Sequence, residues 1–144
     1  MKVEQSIIIA RPVATVFAYR ASLQQTAEWQ SDVVATELST SPPMGTGTLG
    51  VERRRDAKGV VSDWEIEIIE FELNHCLALL GRCGAIEIRE RDVFAMQDQM
   101  TQGQITKYTA FVEMTGSSVP ASAFHRRTID GLMHFKWRLE EPGR

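Results

Sequence analysis

The hydrophobic pattern of this chain changes its period once, near residue 116, and that change limits the folds open to the chain. Over residues 48–115, apolar and polar residues alternate in several segments, which is typical of antiparallel strands with one buried face. Over residues 117–141 the spacing becomes helical. The apolar stripe of this helix is predicted to carry Ala121, His125, Thr128, Leu132, Phe135 and Leu139. The sheet therefore has one long terminal helix against which to bury its apolar face.

The whole chain is predicted to follow the order strand, two short helices, six strands and the terminal helix. The first strand is expected over residues 3–10, and the two short helices over residues 12–22 and 23–29. The other strands are predicted over residues 33–38, 48–55, 60–73, 77–82, 85–97 and 104–115, joined as a meander with a turn over residues 98–103. Within residues 60–73 the alternation changes phase after Ile68, which predicts a β-bulge there.

Composition excludes several classes of protein. With 144 residues the chain is expected to form a single domain over residues 1–144, and its formal net charge of -3 predicts no nucleic-acid partner. The sequence has neither a membrane-spanning run nor a signal-peptide pattern, which predicts a cytoplasmic protein. Cys76 and Cys83 are predicted to be free thiols, and the dispersed histidines predict neither a metal site nor a cofactor.

The strand predicted over residues 85–97 places two acids where core residues are expected. Glu90 and Asp92 share the phase of Ile88 and Phe94. A buried carboxylate without partners costs several kcal/mol, so a close-packed core would reject both acids. A solvated or ligand-filled pocket would accept them on the inner face. Alternatively, a bulge after Arg89 would turn both acids toward solvent, and the sequence leaves these two interpretations open.

Four stretches of the sequence, taken with the element order, resemble a known fold family. They are IIIARPVATVFAYR with Trp29 following, MGTGT, VFAMQDQMTQGQITKYTAFVEMTG and LMHFKWRLEE. Together they are similar to the START-type helix-grip superfamily (SRPBCC), most closely to its polyketide cyclase/dehydrase and lipid-transport branch. The resemblance implies an α+β fold in which a strongly bent antiparallel sheet wraps around the long C-terminal helix. It also implies a cavity between sheet and helix for a hydrophobic or amphipathic small molecule, and no catalytic motif of the family transfers to numbered positions.

Inside such a cavity, Glu90 and Asp92 are the candidate catalytic residues. A carboxyl group that lacked a basic partner would have a raised pKa and could act as a general acid or base. Arg53 is in phase with Leu49 and Val51, so it is expected on the inner face as the partner of one of the acids, and such an ion pair could also be purely structural. The candidate ligand-binding residues are Trp29, Arg53, Trp64, Ile66, Phe94, Met96, Tyr108, His125, Thr128 and Leu132.

Three functions are compatible with these features. The first is a binding protein that carries or senses a hydrophobic small molecule. The second is a polyketide cyclase/dehydrase-like enzyme that uses the acids or His125 to move a proton on a bound substrate, with Arg53 steadying an enolate. The third is an interaction module or homodimer that uses an exposed surface, where Trp137 lies off the core stripe of the helix.

Overall fold

The computed structural model describes residues 1–97 and 99–141, and these residues form one seven-stranded sheet with two α-helices and two short 3₁₀ helices. Asp98 of the predicted turn and residues 142–144 of the predicted domain lie outside the described residues. The strands are β1 (Lys2–Ile9), β2 (Val33–Leu38), β3 (Leu49–Arg55), β4 (Val61–Glu72), β5 (Cys76–Cys83), β6 (Ile86–Met96) and β7 (Thr106–Thr115). The helices are α1 (Val13–Ala21), α2 (Ala121–Glu140) and the 3₁₀ helices Leu23–Glu28 and Gln99–Thr101.

The sheet is antiparallel throughout, with the strand order β1-β7-β6-β5-β4-β3-β2. Strands β2 to β7 follow one another as the predicted meander, and β1 pairs with β7 along its full length, from Lys2 opposite Glu113 to Ile9 opposite Thr106. The sheet curls, and α2 packs its buried stripe into the same core as the inner faces of the strands. The predicted α+β helix-grip fold is therefore confirmed. Within the described part of the chain, no helix is both long and apolar enough to cross a membrane.

The inner face of α2 differs from the predicted stripe at its N-terminal end. The predictions for Thr128, Leu132, Phe135 and Leu139 are confirmed, because these four side chains are buried. The predictions for Ala121 and His125 are wrong, since both residues are exposed and Phe124 is the buried residue in the first turn. The spacing from Phe124 to Thr128 is one helical turn, whereas His125 lies about 100° further round the axis.

The predicted bulge in β4 is confirmed. Pairing with β5 shifts between Ile68, which lies opposite Leu79, and Glu70, which lies opposite Ala78. The extra residue restores Phe71 to the inner face of the strand, where its ring meets that of Phe17 edge-on at 5.4 Å between centroids. The bulge therefore lets both halves of β4 contribute to one core.

Aromatic rings connect the short helices, the sheet and α2. Phe17 of α1 contacts Phe94 of β6 edge-on at 5.4 Å, and Phe94 lies 4.7 Å from Tyr108 of β7. Phe135 of α2 then contacts both Tyr108 and Trp29 at 5.2 Å between centroids. Edge-to-face contacts of this kind stabilise a core beyond the burial of area, so these five rings fix how α1 and α2 sit on the sheet.

Gly131 lies where α2 passes the segment after the first 3₁₀ helix. Its position in the helix predicts either a close approach to another backbone or a slight bend. In the structure, the close neighbour is instead the side-chain amide of Gln30, which a Cβ on residue 131 would overlap. The glycine therefore makes room for a buried polar side chain rather than for a backbone.

Two glycines with positive φ allow a test of the β5–β6–β7 end of the sheet. Gly116 has φ +78°, and a Cβ there would overlap the backbone carbonyl of Ala85. Gly84 has φ +59° with no neighbour near an added Cβ. We expect Gly84→Ala to lower the free energy of unfolding by about 1 kcal/mol, whereas Gly116→Ala should lower it by about 2 kcal/mol more. Urea unfolding measures both values, and equal losses would contradict the predicted overlap.

Candidate functional site

Both acids of β6 point into the core. The strand pairs without a register shift on both sides, with Glu90 opposite Leu79 and Asp92 opposite Leu77. The alternative of a bulge after Arg89 is therefore wrong, and the inward orientation is confirmed. The Asp92 side chain is completely buried, and that of Glu90 is only 20% exposed.

Arg20 is the basic partner of these acids. It lies on α1 one turn after Val16, so the apolar stripe of that helix directs its side chain into the core. Nη2 of Arg20 donates to Oε2 of Glu90 at 3.0 Å, and Nε lies 2.9 Å from Oδ2 of Asp92. Nε also donates to the hydroxyl of Tyr108 at 3.2 Å. A buried cation thus contacts two carboxyl groups and a phenol. We call these four residues, Arg20, Glu90, Asp92 and Tyr108, the Arg20 cluster.

The prediction that Arg53 faces inward is wrong. Strand β3 presents Gly50, Glu52 and Arg54 to the interior, whereas Leu49 and Val51 are exposed together with Arg53. The register decides this, because Glu52 lies directly opposite the buried Trp64, and directly paired residues share one face of a sheet. Arg53 instead forms an exposed ion pair with Asp63, with Nε 3.0 Å from Oδ1.

A cavity lies next to the Arg20 cluster, between the sheet, the short helices and α2. Its volume is about 40 Å³, well below the several hundred Å³ typical of sites for drug-sized ligands. Polar residues that line it are Arg20, Thr26, Gln30, Glu52, Arg54, Glu90 and Arg127. Apolar residues that line it are Leu23, Trp29, Ile66, Leu79 and Ile88. The cavity therefore has the position implied by the family resemblance, but it is much smaller than a ligand of ordinary size.

Further ion pairs also border the cavity. Nε of Arg54 lies 3.1 Å from Oε1 of Glu52, and the Arg54 guanidinium stacks on Trp64 with 4.4 Å between Cζ and the ring centroid. Arg127 of α2 makes a two-point contact with Asp32, with 3.2 Å between Nη2 and Oδ1. These pairs join β3, the start of β2 and the N-terminal half of α2 around the cavity.

Of the residues predicted to bind a ligand, the structure brings only some to the cavity. Trp29 and Ile66 line it. Buried elsewhere in the core are Trp64, Phe94, Tyr108, Thr128 and Leu132. The prediction for His125 is wrong because its side chain is exposed on the outer side of α2, and Met96 is 47% exposed at the end of β6.

Sequence reasoning missed four charged residues of the site. Arg20, Glu52, Arg54 and Arg127 border the cavity, and none of them was a candidate. The signal for Arg20 was present, because it continues the i, i+3, i+4 stripe of Val13, Val16 and Phe17. The other three depend on strand pairing and helix placement, which local sequence does not report.

The two acids of the Arg20 cluster have opposite pKa shifts. Burial raises the pKa of Asp92 well above its ordinary value, and the negative charge of Glu90 adds to this effect against the attraction of Arg20. Burial also opposes ionisation of Glu90, but the charge of Arg20 and the hydrogen bonds of Asp92 and Arg20 outweigh it and hold the pKa of Glu90 below its ordinary value. Burial and the neighbouring Asp92 raise the pKa of Tyr108. The cluster therefore favours ionisation of Glu90 beside the cationic Arg20 and disfavours ionisation of Asp92 and Tyr108.

The cluster provides, within a few ångströms, a fixed cation, two carboxyl groups with opposite pKa shifts and a phenol. Such a set can orient polar atoms of a small molecule, and its two carboxyl groups can exchange a proton with it. Among residues 1–97 and 99–141, no group of three or more His, Cys, Asp or Glu residues is arranged to hold a metal ion.

Solved structures share the whole fold at low sequence identity. The aromatase/cyclase Zhui from Streptomyces sp. R1128 has a TM-score of 0.79 at 11% identity, with 100% of this chain and 96% of that chain covered. A START superfamily protein from Mycobacterium smegmatis has a TM-score of 0.76 at 9% identity, with 97% of each chain covered. A protein from Thermus thermophilus has a TM-score of 0.78 at 14% identity over 100% of both chains. At such identities the likeness establishes the fold alone.

The family of this chain follows from its match to a family model. Comparison with individual curated proteins gives no match. The family model described as polyketide cyclase / dehydrase and lipid transport matches residues 1–82, which is more than half of the chain. The resemblance to the START-type superfamily is thereby confirmed, and this chain belongs to the polyketide cyclase / dehydrase and lipid transport family.

Proposed function

We propose that this chain binds a hydrophobic or amphipathic small molecule in the cavity beside the Arg20 cluster, as a carrier or a sensor. The observation that carries the proposal is the two-sided lining of the cavity. Trp29, Ile66 and Leu79 provide apolar contact, while Arg20 and Glu90 provide buried polar groups. A lining of this kind suits a ligand with an apolar body and a few polar atoms. The family description, which includes lipid transport, supports the same function.

A ligand larger than about 40 Å³ must displace groups that close the cavity, and α2 offers a route. The C-terminal half of α2 is bonded to β1, where Nζ of Lys136 donates to the carbonyl of Ile8 at 2.6 Å. The N-terminal half meets Asp32 through Arg127, and both side chains of this pair are about one-quarter exposed. Swinging the N-terminal half away from the sheet would break this two-point pair and uncover the buried Phe124, and it would widen the cavity.

Filling the cavity provides the first test. Gly81 lines it, and a Cβ there would meet only side chains, at 3.7 Å or more. We expect Gly81→Val to occupy this space and to weaken uptake of the neutral apolar dye 1-aminoanthracene by about tenfold or more. Fluorescence titration of the purified protein measures the dissociation constants of the two forms.

Gly45→Val is the matched control for this test. Gly45 has open space around an added Cβ and does not line the cavity, so the same substitution there should leave dye binding unchanged. Thermal unfolding of both variants separates a filled cavity from a damaged fold. Dye uptake that is unaffected by Gly81→Val in a folded protein would contradict binding at this site.

A second candidate function is a polyketide cyclase/dehydrase-like enzyme. The observation that favours it is the pair of acids on Arg20, since both carboxyl groups contact the same guanidinium while the pKa of Asp92 is raised and that of Glu90 is lowered, which suits an acid and a base. The chain shares its fold with an aromatase/cyclase, and this likeness is equally compatible with an enzyme and with a protein that only binds its ligand.

Asp92→Asn separates the two functions. Native mass spectrometry followed by solvent extraction identifies a molecule retained by the purified protein, which is then offered to both forms. For a carrier, we expect the wild type to release the molecule unchanged and Asp92→Asn to alter its affinity by less than about tenfold. Conversion by the wild type, lost in a variant that still binds, would replace the carrier with the enzyme.

The raised pKa of Asp92 predicts how stability depends on pH. An unfolded Asp ionises near pH 4, whereas burial raises the pKa of Asp92 in the folded protein, so the wild type loses stability as pH rises from about 4 toward the folded-state pKa. The Asp92→Asn variant lacks this loss. Between about pH 5 and about pH 8, its free energy of unfolding relative to wild type should therefore increase until the folded-state pKa of Asp92 is passed, by up to about 1.4 kcal/mol per pH unit.

The lowered pKa of Glu90 acts in the opposite direction. It contributes stability above the unfolded value, near pH 4, and this contribution is lost only as pH falls further. The window from about pH 5 to about pH 8 thus isolates Asp92. Urea unfolding across that window measures the difference, with Asp63→Asn on the exposed outer face as the control. A difference that does not change with pH would show that Asp92 is ionised in the folded protein.

Two further expectations from the sequence stay predictions. They are a cytoplasmic location and a possible homodimer. Trp137, which is 64% exposed on α2, supports a surface that could take part in self-association.

A further inference from the structure

The outer face of α2 carries a stripe of exposed residues at the spacing of a helix–helix contact. We call it the outer stripe, and its members are Arg126, Asp130, Met133 and Trp137. Met133 is 53% exposed and Trp137 is 64% exposed. The four residues recur at steps of four, three and four, which is the spacing at which two packed helices present their contact positions. The stripe lies opposite the buried face of α2, so the helix has a second contact face that the described part of the chain does not cover.

The two charged residues of the outer stripe are available to a partner. Within residues 1–97 and 99–141, neither Arg126 nor Asp130 takes part in an ion pair or a side-chain hydrogen bond. By contrast, Arg127 and Arg138, which border the buried face of α2, pair with Asp32 and with an acid of the first 3₁₀ helix. The charges of α2 are thus divided between those that bind the rest of the chain and those that face outward.

The order of residues along the outer stripe is complementary to itself when reversed. Arg126 and Trp137 are equally far from the midpoint of the stripe, and so are Asp130 and Met133. Two α2 helices packed antiparallel about a two-fold axis at that midpoint therefore set Arg126 against Trp137 of the second copy at both ends. A guanidinium over an indole ring is attractive. Two contacts of this kind already occur within the chain, with 4.4 and 5.0 Å between Cζ and the ring centroid.

The same charges oppose a parallel pairing of the two helices. A parallel pair would set Arg126 against Arg126 and Asp130 against Asp130, and facing like charges repel. The antiparallel pair instead brings Asp130 within one position of His134 of the second copy, which is an exposed hydrogen-bond donor beside the stripe. Antiparallel helices also oppose their dipoles favourably. The sequence of the stripe therefore specifies the direction of the contact.

A shallow groove on α2 provides space for the indole ring of a second copy. It has a volume of about 570 Å³ and is lined by Ala121, Ser122, His125, Arg126, Ile129 and Asp130. In the antiparallel pair, Trp137 of the second copy lies at the level of Arg126, so its ring enters this groove and covers the partly buried Ile129. Each end of the contact then combines an aromatic ring, a recess that receives it and a cation.

We propose that this chain forms a symmetric dimer in which the outer stripes of two α2 helices pack antiparallel, with Trp137 of each copy against Arg126 of the other. This interaction surface is separate from the cavity and does not depend on the proposed function. Because one helix from each copy makes the contact, the interface is small. We expect a dissociation constant of about 10 μM, since interfaces of low area form weak complexes.

Sedimentation equilibrium of the intact chain at concentrations from about 1 to about 200 μM tests the dimer, because this range brackets the expected dissociation constant. Arg126→Glu places a carboxylate on the negative face of the indole at both ends, and it should raise the dissociation constant about tenfold or more. Trp137→Ala should do the same by removing both rings. Arg55→Glu, the same charge change on the outer face of β3, is the matched control and should leave the dissociation constant unchanged.

Cysteine cross-linking tests the direction of the contact. Arg126→Cys and Trp137→Cys are mixed and oxidised with diamide, so that a disulfide forms only where two thiols meet. In the antiparallel dimer the mixture cross-links while its other end keeps the natural contact. Either variant alone should not cross-link, because its two new cysteines lie about 16 Å apart along the helix axis. The unsubstituted chain, with its free Cys76 and Cys83, gives the background.

The outcomes are distinct. A chain that stays monomeric at the highest concentration overturns the proposal, and so does a dimer whose dissociation constant is unchanged by both Arg126→Glu and Trp137→Ala. Cross-linking of each variant alone, without a gain on mixing, would show a parallel contact and overturn the antiparallel one. A monomer that floats with vesicles of phosphatidylcholine and phosphatidylglycerol, and loses this binding in Trp137→Ala, would show that the outer stripe contacts a lipid surface instead.

Discussion

The ionic contacts of Arg20 are the interaction on which the interior of this protein depends. Without a cation, the inward acids of β6 would be two carboxyl groups in an apolar core, at a cost of several kcal/mol. Arg20 reaches both from α1 and also bonds Tyr108, so it joins the short helix to two neighbouring strands of the sheet. Because buried pairs of this kind need good geometry, they also define where α1 sits.

The aromatic contacts extend this arrangement from the sheet to α2. Phe94 and Tyr108 lie in the same region as the cluster, and Tyr108 uses its hydroxyl for Arg20 while its ring packs on Phe135. Trp29 contacts both Phe135 and the Arg20 guanidinium. The Arg20 cluster and the aromatic rings are thus connected through Tyr108 and Trp29. The cavity is the small space left where α2, the first 3₁₀ helix and strand β3 come together.

This arrangement is compatible with both proposed functions, binding and catalysis. A cavity with a buried cation and two neighbouring carboxyl groups can hold a polar group of a ligand, and the carboxyl groups can exchange a proton with it. The two functions differ in whether the ligand has a bond that proton transfer can help to form or break. The description of the family to which the chain belongs includes both kinds of activity, so the fold and the family are compatible with a carrier and with an enzyme.

The sequence by itself determined the element order, the meander and the bulge after Ile68, because local periodicity reports each of them, and its resemblance to the START-type superfamily implied the helix-grip fold. Periodicity shows which residues of a strand share a face, but pairing with neighbouring strands decides which face is buried. For β3 the exposed row is the more apolar one, since the inner row of Glu52 and Arg54 belongs to a polar cavity wall. The inward direction of Glu90 and the identity of its partner likewise depend on how β6 pairs and where α1 packs. Only the tertiary structure decided these, because Arg20 and Glu90 are 70 positions apart in the chain, and Arg127 and Asp32 are 95 positions apart.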